Sequence, residues 1–198
     1  MHAVEGGDFT RIGVDATVKK ILGLAGDLHS DARGIRNLCW TGGEPLLQGE
    51  SIARAIERLP ETFVHSIETD GEIDLSTFDA LVPDERKSGR ARYVMDVKCP
   101  GSGMVANKAY ANLERLREHD EVKFVLLDRF DYEFAKGVLS KVDTRARTVL
   151  FSPATPAHKV SRGLDPGQLA SWILDERLPV RLQLQMHKLI WPGRERGI

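Results

Sequence analysis

Five residues at the end of a short apolar run have the types and spacing of a ligand-binding turn. They are Thr41, Gly42, Gly43, Glu44 and Pro45. Adjacent glycines leave the main chain bare, so that a ligand can contact its N–H and C=O groups. The carboxylate that follows suits an ammonium group, and the proline stiffens the exit without needing to donate an N–H. An ordinary tight turn uses the same residue types, so this segment alone leaves both interpretations open.

Further side chains could bind a ligand, and each also has a structural interpretation. Glu68 and Thr69 begin an ETDG turn, where the acid could simply pair with a nearby base. Asp96 follows an apolar run and could cap a loop. Lys123 lies inside the apolar run EVKFV, where an unpaired ammonium is costly, so we expect it to meet an acid or a ligand carboxylate. His187 by itself is more typical of a core or surface histidine than of a catalytic group.

The chain has two cysteines, Cys39 and Cys99, far apart in sequence. Their number and spacing argue against a disulfide framework and against a self-contained zinc or cluster motif. A small buried hydrophobic residue is the structural interpretation of each.

Composition limits the remaining possibilities. With 198 residues and 41% hydrophobic content, we expect a single domain covering residues 1–198. Lys plus Arg number 28 against 29 for Asp plus Glu, which predicts no general attraction to nucleic acid or anionic lipid. The sequence has neither an apolar run of membrane-spanning length nor the pattern of a signal peptide at its start, so we expect a cytoplasmic protein.

Short β-branched or aromatic runs alternate with stretches of helical periodicity. Strands are predicted at 37–40, 63–67, 93–97, 121–127, 148–152 and 180–186, and helices at 14–28, 51–59, 108–117, 132–142 and 166–178. Asp15 is predicted to cap the first helix. Because strands joined by helices pair in parallel, we expect an α/β fold whose ligand lies at the carboxyl ends of the strands.

The motifs, taken in order, resemble the 7-carboxy-7-deazaguanine synthase family of radical S-adenosylmethionine (radical-SAM) enzymes. The matching segments are TGGEP at 41–45, ETDG at 68–71, DVKCPGSGM at 96–104, Lys123 in EVKFV, Ser152 and Pro153 in VLFSPA, and His187 in QLQMHKLIW. The similarity extends from about residue 5 to the end. It implies a partial (β/α) barrel of the radical-SAM type with a mostly parallel sheet.

The resemblance also implies roles for individual residues. Those implied to bind S-adenosylmethionine are Gly42, Gly43, Glu44, Asp96, Val97, Lys98, Ser152 and Pro153. Those implied to bind the substrate are Thr41, Glu68, Thr69, Lys123 and His187. No catalytic residue and no metal ligand is assigned in this chain.

The family's reaction is a ring contraction on the path to queuosine and archaeosine. The resemblance implies that a 4Fe–4S cluster cleaves S-adenosylmethionine and that the resulting radical abstracts hydrogen from 6-carboxy-5,6,7,8-tetrahydropterin. Loss of ammonia then gives 7-carboxy-7-deazaguanine, with Mg²⁺ assisting the substrate carboxylate. The implied partners are a second copy of the chain and a flavodoxin-like or ferredoxin-like reductant.

Three departures from the family pattern qualify this expectation. No C-x3-C-x2-C cluster loop is present, Asp70 stands where the family has an amide, and the chain continues past His187 as WPGRERGI. The simplest interpretation is an N-terminal truncation that lacks the first strand and the cluster loop, and that is inactive alone. The alternatives are a non-catalytic module that binds S-adenosylmethionine or a nucleoside, and a structural partner that associates through an exposed sheet edge.

Overall fold

Six parallel strands form one sheet in the computed structural model, which describes residues 12–26, 34–104, 109–155 and 163–191. The strands are β1 Asn37–Trp40, β2 Val64–Thr69, β3 Ala91–Val97, β4 Glu121–Leu126, β5 Thr148–Pro153 and β6 Arg181–Leu182. They lie side by side in chain order, and every pair is parallel. The sheet has β1 and β6 at its two edges, so the predicted α/β architecture with a partial barrel is confirmed.

Helices fill most of the connections between these strands, and one further helix precedes β1 and another follows β6. They are α1 Val14–Ala25, α2 Gly49–Arg58, α3 Leu75–Leu81, α4 Pro83–Ser88, α5 Ala109–Leu113, α6 Arg129–Lys141, α7 Pro166–Asp175 and α8 Met186–Ile190, with 3-10 turns at Pro45–Gln48 and Pro100–Ser102. Right-handed crossovers between sequential parallel strands bring successive helices to the same face of the sheet. Among the described helices, none combines the length and apolar character that a bilayer crossing requires.

The two faces of the sheet differ in composition because strand side chains alternate. On the face toward the helices, Ile67, Tyr93, Met95, Phe124 and Phe151 are each 0% exposed and form the centre of the hydrophobic core. The intervening residues of β2, β3 and β4 are only partly buried, apart from the exposed Glu68. Burial of the first set stabilises the sheet, and the second set is left free to face a ligand.

A buried ion pair joins the helices to the sheet near the start of β3. The side chains of Arg86 and Asp120 are both 0% exposed, and two N–O distances of 2.7 Å join them. The Asp120 carboxylate also accepts hydrogen bonds from the main-chain N–H groups of Tyr93 and Arg117. Asp79 accepts a further bond from Arg86 Nε at 2.8 Å. Each charge therefore has partners that offset the cost of its burial.

Several predicted elements are corrected by the structure. Asp15 is not the cap of α1: Gly13 is, and Asp15 lies in the first turn, where it pairs with Arg58. α3 and α4 were not predicted, because seven and six residues are too short for an apolar helical period to show. The last predicted strand is two residues long, and α8 begins at Met186, within the segment predicted to be strand.

Candidate functional site

A row of polar side chains occupies the sheet face opposite the core, and we call it the polar face. Its members are Cys39, Ser66, Glu68, Arg92, Asp96, Lys123 and Ser152. Strand register sets them on one face, since Cys39 pairs with Ser66 and Asp96 pairs with Lys123. The parallel arrangement thus brings together residues from five strands that are far apart in sequence.

The TGGEP turn lies at the carboxyl end of β1, as predicted. Gly42 and Gly43 have φ angles of 94° and 56°, a conformation that favours glycine. A Cβ atom built on either residue would meet no atom within 4 Å, so the space in front of this main chain is open. Thr41 donates a hydrogen bond to Glu68 Oε2 at 3.1 Å and joins the turn to the end of β2. The turn can therefore be approached closely by a ligand.

Glu44 turns inward and holds two loops together. One of its oxygens accepts from the N–H of Leu46 at 3.0 Å, and the other accepts from Thr69 Oγ1 and from the N–H of Asp70, each at 3.0 Å. Burial, together with the nearby carboxylate of Asp70, raises the pKa of Glu44. These contacts give Glu44 a positioning role beside its predicted role with the cofactor.

Cys39 lies exposed on the polar face beside Glu68 and Lys123. Partial desolvation and the Glu68 carboxylate raise the pKa of the Cys39 thiol to about 11, because both disfavour a thiolate. The thiol is therefore protonated at neutral pH, which is unlike a cysteine prepared to hold a metal.

Alkylation of Cys39 should be slow despite its exposure. At pH 8, a thiol with a pKa of about 11 has roughly 100-fold less thiolate than a free cysteine, so the rate with iodoacetamide should fall by the same factor. It should rise about tenfold per pH unit up to pH 11, and Glu68→Gln should raise the rate at pH 8. Measured in a Cys99→Ala background, a rate equal to that of a free cysteine would contradict this environment.

Asp96 and Lys98 form an ion pair at the end of β3. Lys98 Nζ lies 2.7 Å from Asp96 Oδ2, while Asp96 Oδ1 is buried and has no hydrogen-bond partner in the described residues. Ser152 Oγ is likewise buried and unpartnered. Lys123 forms no ion pair or hydrogen bond with any residue that the structure describes. Its position in the sequence predicted contact with an acid or with a ligand carboxylate, and no described residue supplies that acid.

Asp131, which the sequence motifs did not identify, anchors the loop after β3. Its carboxylate is 1% exposed and accepts from the N–H of Gly101 at 2.8 Å and from the N–H of Leu127 at 2.9 Å. A Cβ atom on Gly101 would lie 2.5 Å from Asp131 Oδ2, so glycine is required there. The only sequence signal was an aspartate at the start of a helix, which is common in proteins generally.

Removing one of these acceptors should loosen the loop. Asp131→Asn replaces one oxygen with an NH₂ group that faces a main-chain N–H, at a cost of about 1–3 kcal/mol. The neighbouring Cys99 thiol, now 1% exposed, should then react several-fold faster with Ellman's reagent in a Cys39→Ser background. Asp175→Asn, at an exposed helix position, is the matched control. Equal Cys99 rates in the two variants would remove the anchoring role.

Three further residues predicted to bind a ligand have side chains on the opposite face of the sheet from the polar face. Val97 is 2% exposed and packs into the hydrophobic core, so only its main chain can face a ligand. Thr69 and Pro153 are also buried, and Thr69 Oγ1 is engaged with Glu44. The side chain of His187 lies outside the described part of the structure.

Two cavities lie away from this site, on the helix side. One of about 560 Å³ is lined by Ala53, Leu59 and Arg90, among others. Another of about 360 Å³ is lined by Leu46, Ile73 and Phe78, among others. Neither is lined by residues of the polar face.

The donor set of this chain does not fit an iron–sulfur cluster. Cys39 is exposed on the polar face, and Cys99 is buried in the hydrophobic core, where burial raises its pKa. Such clusters are held by several thiolates. Across the described ranges, no three His, Cys, Asp or Glu side chains come together in a way that could hold a metal ion.

The chain is similar to several curated enzymes. It is 40% identical over 169 residues to the 7-carboxy-7-deazaguanine synthase of Koribacter versatilis, covering 80% of this chain and 70% of that protein. The proteins of the same name from Chlorobaculum tepidum and Methanospirillum hungatei are 34% and 36% identical, and the chain spans 67% and 66% of their lengths. No protein-family model matches the chain.

Solved structures share the fold at low sequence identity. The structure of Streptococcus suis SuiB bound to S-adenosylmethionine superimposes with a TM-score of 0.61 at 10% identity, over 97% of this chain and 48% of that one. A second SuiB structure has a TM-score of 0.60 at 11% identity, over 94% of this chain and 48% of that one. This likeness supports the architecture of the sheet.

Proposed function

Because the chain belongs to the 7-carboxy-7-deazaguanine synthase family, we propose that its polar face binds S-adenosylmethionine beside a carboxylated tetrahydropterin. The product of that reaction is 7-carboxy-7-deazaguanine, formed by ring contraction and loss of ammonia. The observation that carries the proposal is the open glycine turn and the unpartnered buried oxygens of Asp96 and Ser152, which lie at the carboxyl ends of β1, β3 and β5 of one parallel sheet.

The cofactor-binding part of the proposal rests on β1, β3 and β5. The open main chain of Gly42 and Gly43 suits the methionyl end of the cofactor, and Glu44 holds that turn in place. Asp96, with one unpartnered oxygen, and Ser152, with an unpartnered hydroxyl, offer polar contacts further along the sheet. S-adenosylmethionine, when bound, would supply the 5′-deoxyadenosyl group that takes up a hydrogen atom from the substrate.

The substrate-binding part of the proposal rests on charge. Lys123 is a half-buried cation without a protein partner in the described residues, and a pterin carboxylate would satisfy it. Glu68, held by Thr41, can accept hydrogen bonds from the N–H groups of a pterin ring. His187 and Thr69 complete the proposed substrate set, with Thr69 acting through Glu44.

The proposal also concerns cofactors and partners of the family for which this chain's own residues supply no binding groups. A 4Fe–4S cluster and Mg²⁺ belong to the family's chemistry, but the two cysteines present do not fit the cluster, so we derive no step through either group. A cytoplasmic homodimer that receives electrons from a flavodoxin-like or ferredoxin-like protein is the proposed assembly. A non-catalytic binding module is the second candidate, favoured by the same cysteine count.

Calorimetric titration of the full chain tests the binding proposal. We expect heat with micromolar S-adenosylmethionine and, separately, with 6-carboxypterin, a stable analogue of the substrate. Binding of S-adenosylmethionine without any pterin binding would support the non-catalytic module. Silence with both ligands, from a chain whose thermal unfolding is cooperative, would overturn the proposal.

A further inference from the structure

Gln183 lies next to Ser152 on the polar face, although no motif singled it out. Its main-chain N–H donates to the carbonyl of Phe151 at 2.9 Å, which continues the β5–β6 register one residue beyond β6. That register sets Gln183 opposite Ser152, and paired residues of parallel strands point to the same face, about 4.8 Å apart.

Both side chains carry a buried oxygen without a partner. Gln183 Oε1 and Ser152 Oγ make no hydrogen bond within the described ranges, and Ser152 is 0% exposed. Buried polar atoms in folded proteins are nearly always hydrogen-bonded, and leaving one unpaired is costly. Two such atoms on adjacent strands indicate that their hydrogen-bond partner is a group outside the described residues.

The chemistry of the pair narrows what that group is. A glutamine amide offers an acceptor and a donor side by side, and a serine hydroxyl can do either. An amide of this kind pairs in bidentate fashion with a ring edge that carries an amino group next to a ring nitrogen. Val125, which is opposite Ser152 on β4, offers an apolar contact for the face of such a ring.

We infer that Gln183 and Ser152 form a subsite for the amino-bearing edge of a nitrogen heterocycle. The inference rests on the proposed function, which supplies two rings of this kind: the adenine of S-adenosylmethionine and the aminopyrimidine of the pterin. Gln183 is then a specificity-determining residue, because its unpartnered Oε1 can accept a hydrogen bond from an amino substituent but not from an oxo substituent.

A nearby glutamine provides a matched control. Gln185, in the same segment, already accepts a hydrogen bond from Thr155 Oγ1 at 3.1 Å. It therefore has the same residue type and neighbourhood without an unpartnered oxygen. Gln185→Met should leave the preference for amino-bearing ligands unchanged.

Ligand pairs that differ only in the amino group test the subsite by calorimetry. One pair is S-adenosylhomocysteine and S-inosylhomocysteine, and the other is 6-carboxypterin and its 2-oxo analogue, lumazine-6-carboxylate. Wild-type protein should prefer the amino-bearing member of one pair by about 5- to 100-fold. In Gln183→Met that ratio should fall to about one, whichever pair shows it, and the pair identifies which ring occupies the subsite.

The outcomes separate this inference from the proposed function. If wild-type protein binds a ligand but neither ratio changes in Gln183→Met, the subsite is refuted while the proposed function stands. If wild-type protein binds none of the four ligands, both are overturned. Because the readout is a ratio within one variant, a general loss of stability cannot produce the expected result.

Discussion

Replacing Asp120 with alanine will lower the free energy of unfolding by about 3–5 kcal/mol. The carboxylate accepts two hydrogen bonds from Arg86 and one each from the N–H groups of Tyr93 and Arg117. Its removal leaves the guanidinium of Arg86 buried at 0% exposure with only the partly exposed Asp79 as a counter-ion. Urea denaturation at pH 7, followed by circular dichroism, measures the loss.

An exposed ion pair provides the control for that experiment. Arg147 and Glu118 form a pair whose side chains are 74% and 53% exposed. Glu118→Ala should cost no more than about 1 kcal/mol, because water replaces the lost contact. If Asp120→Ala costs as little as Glu118→Ala, the buried pair is not holding the helices to the sheet.

Replacing Lys123 with methionine will weaken binding of 6-carboxypterin by about 10- to 150-fold. A charge-assisted hydrogen bond to a carboxylate is worth about 1.5–3 kcal/mol, and this ammonium has no protein partner in the described residues that would compensate for its loss. Stability should not fall, since methionine retains the apolar stem within β4 and removes a half-buried charge.

The ligand itself supplies the control for Lys123. Pterin without a carboxylate should bind wild-type protein and Lys123→Met with similar dissociation constants, as measured by calorimetry. Equal losses for both pterins would mean that Lys123 supports the site generally. No loss for either would remove Lys123 from the substrate-binding set.

Five of the six strands could be predicted well because each is a short run rich in β-branched or aromatic residues. The strands β1 to β5 were all predicted within two residues at each end, and the parallel pairing followed from the intervening helices. Short elements could not be predicted in the same way: α3 and α4 depend on local caps such as Asp74 and on contacts with neighbouring helices.

Some features of the site could be read from the sequence, whereas others are set only by tertiary contacts. The order of motifs identified the family, and the strand ends placed Gly43, Glu68 and Asp96 at one edge, because parallel strands present their carboxyl ends together. The inward turn of Glu44 depends on residues distant in sequence, and so does the lack of a hydrogen-bond partner for Gln183 Oε1 among the described residues. A side chain's hydrogen bonds are set by whichever groups the fold brings within about 3 Å, and no local pattern encodes those.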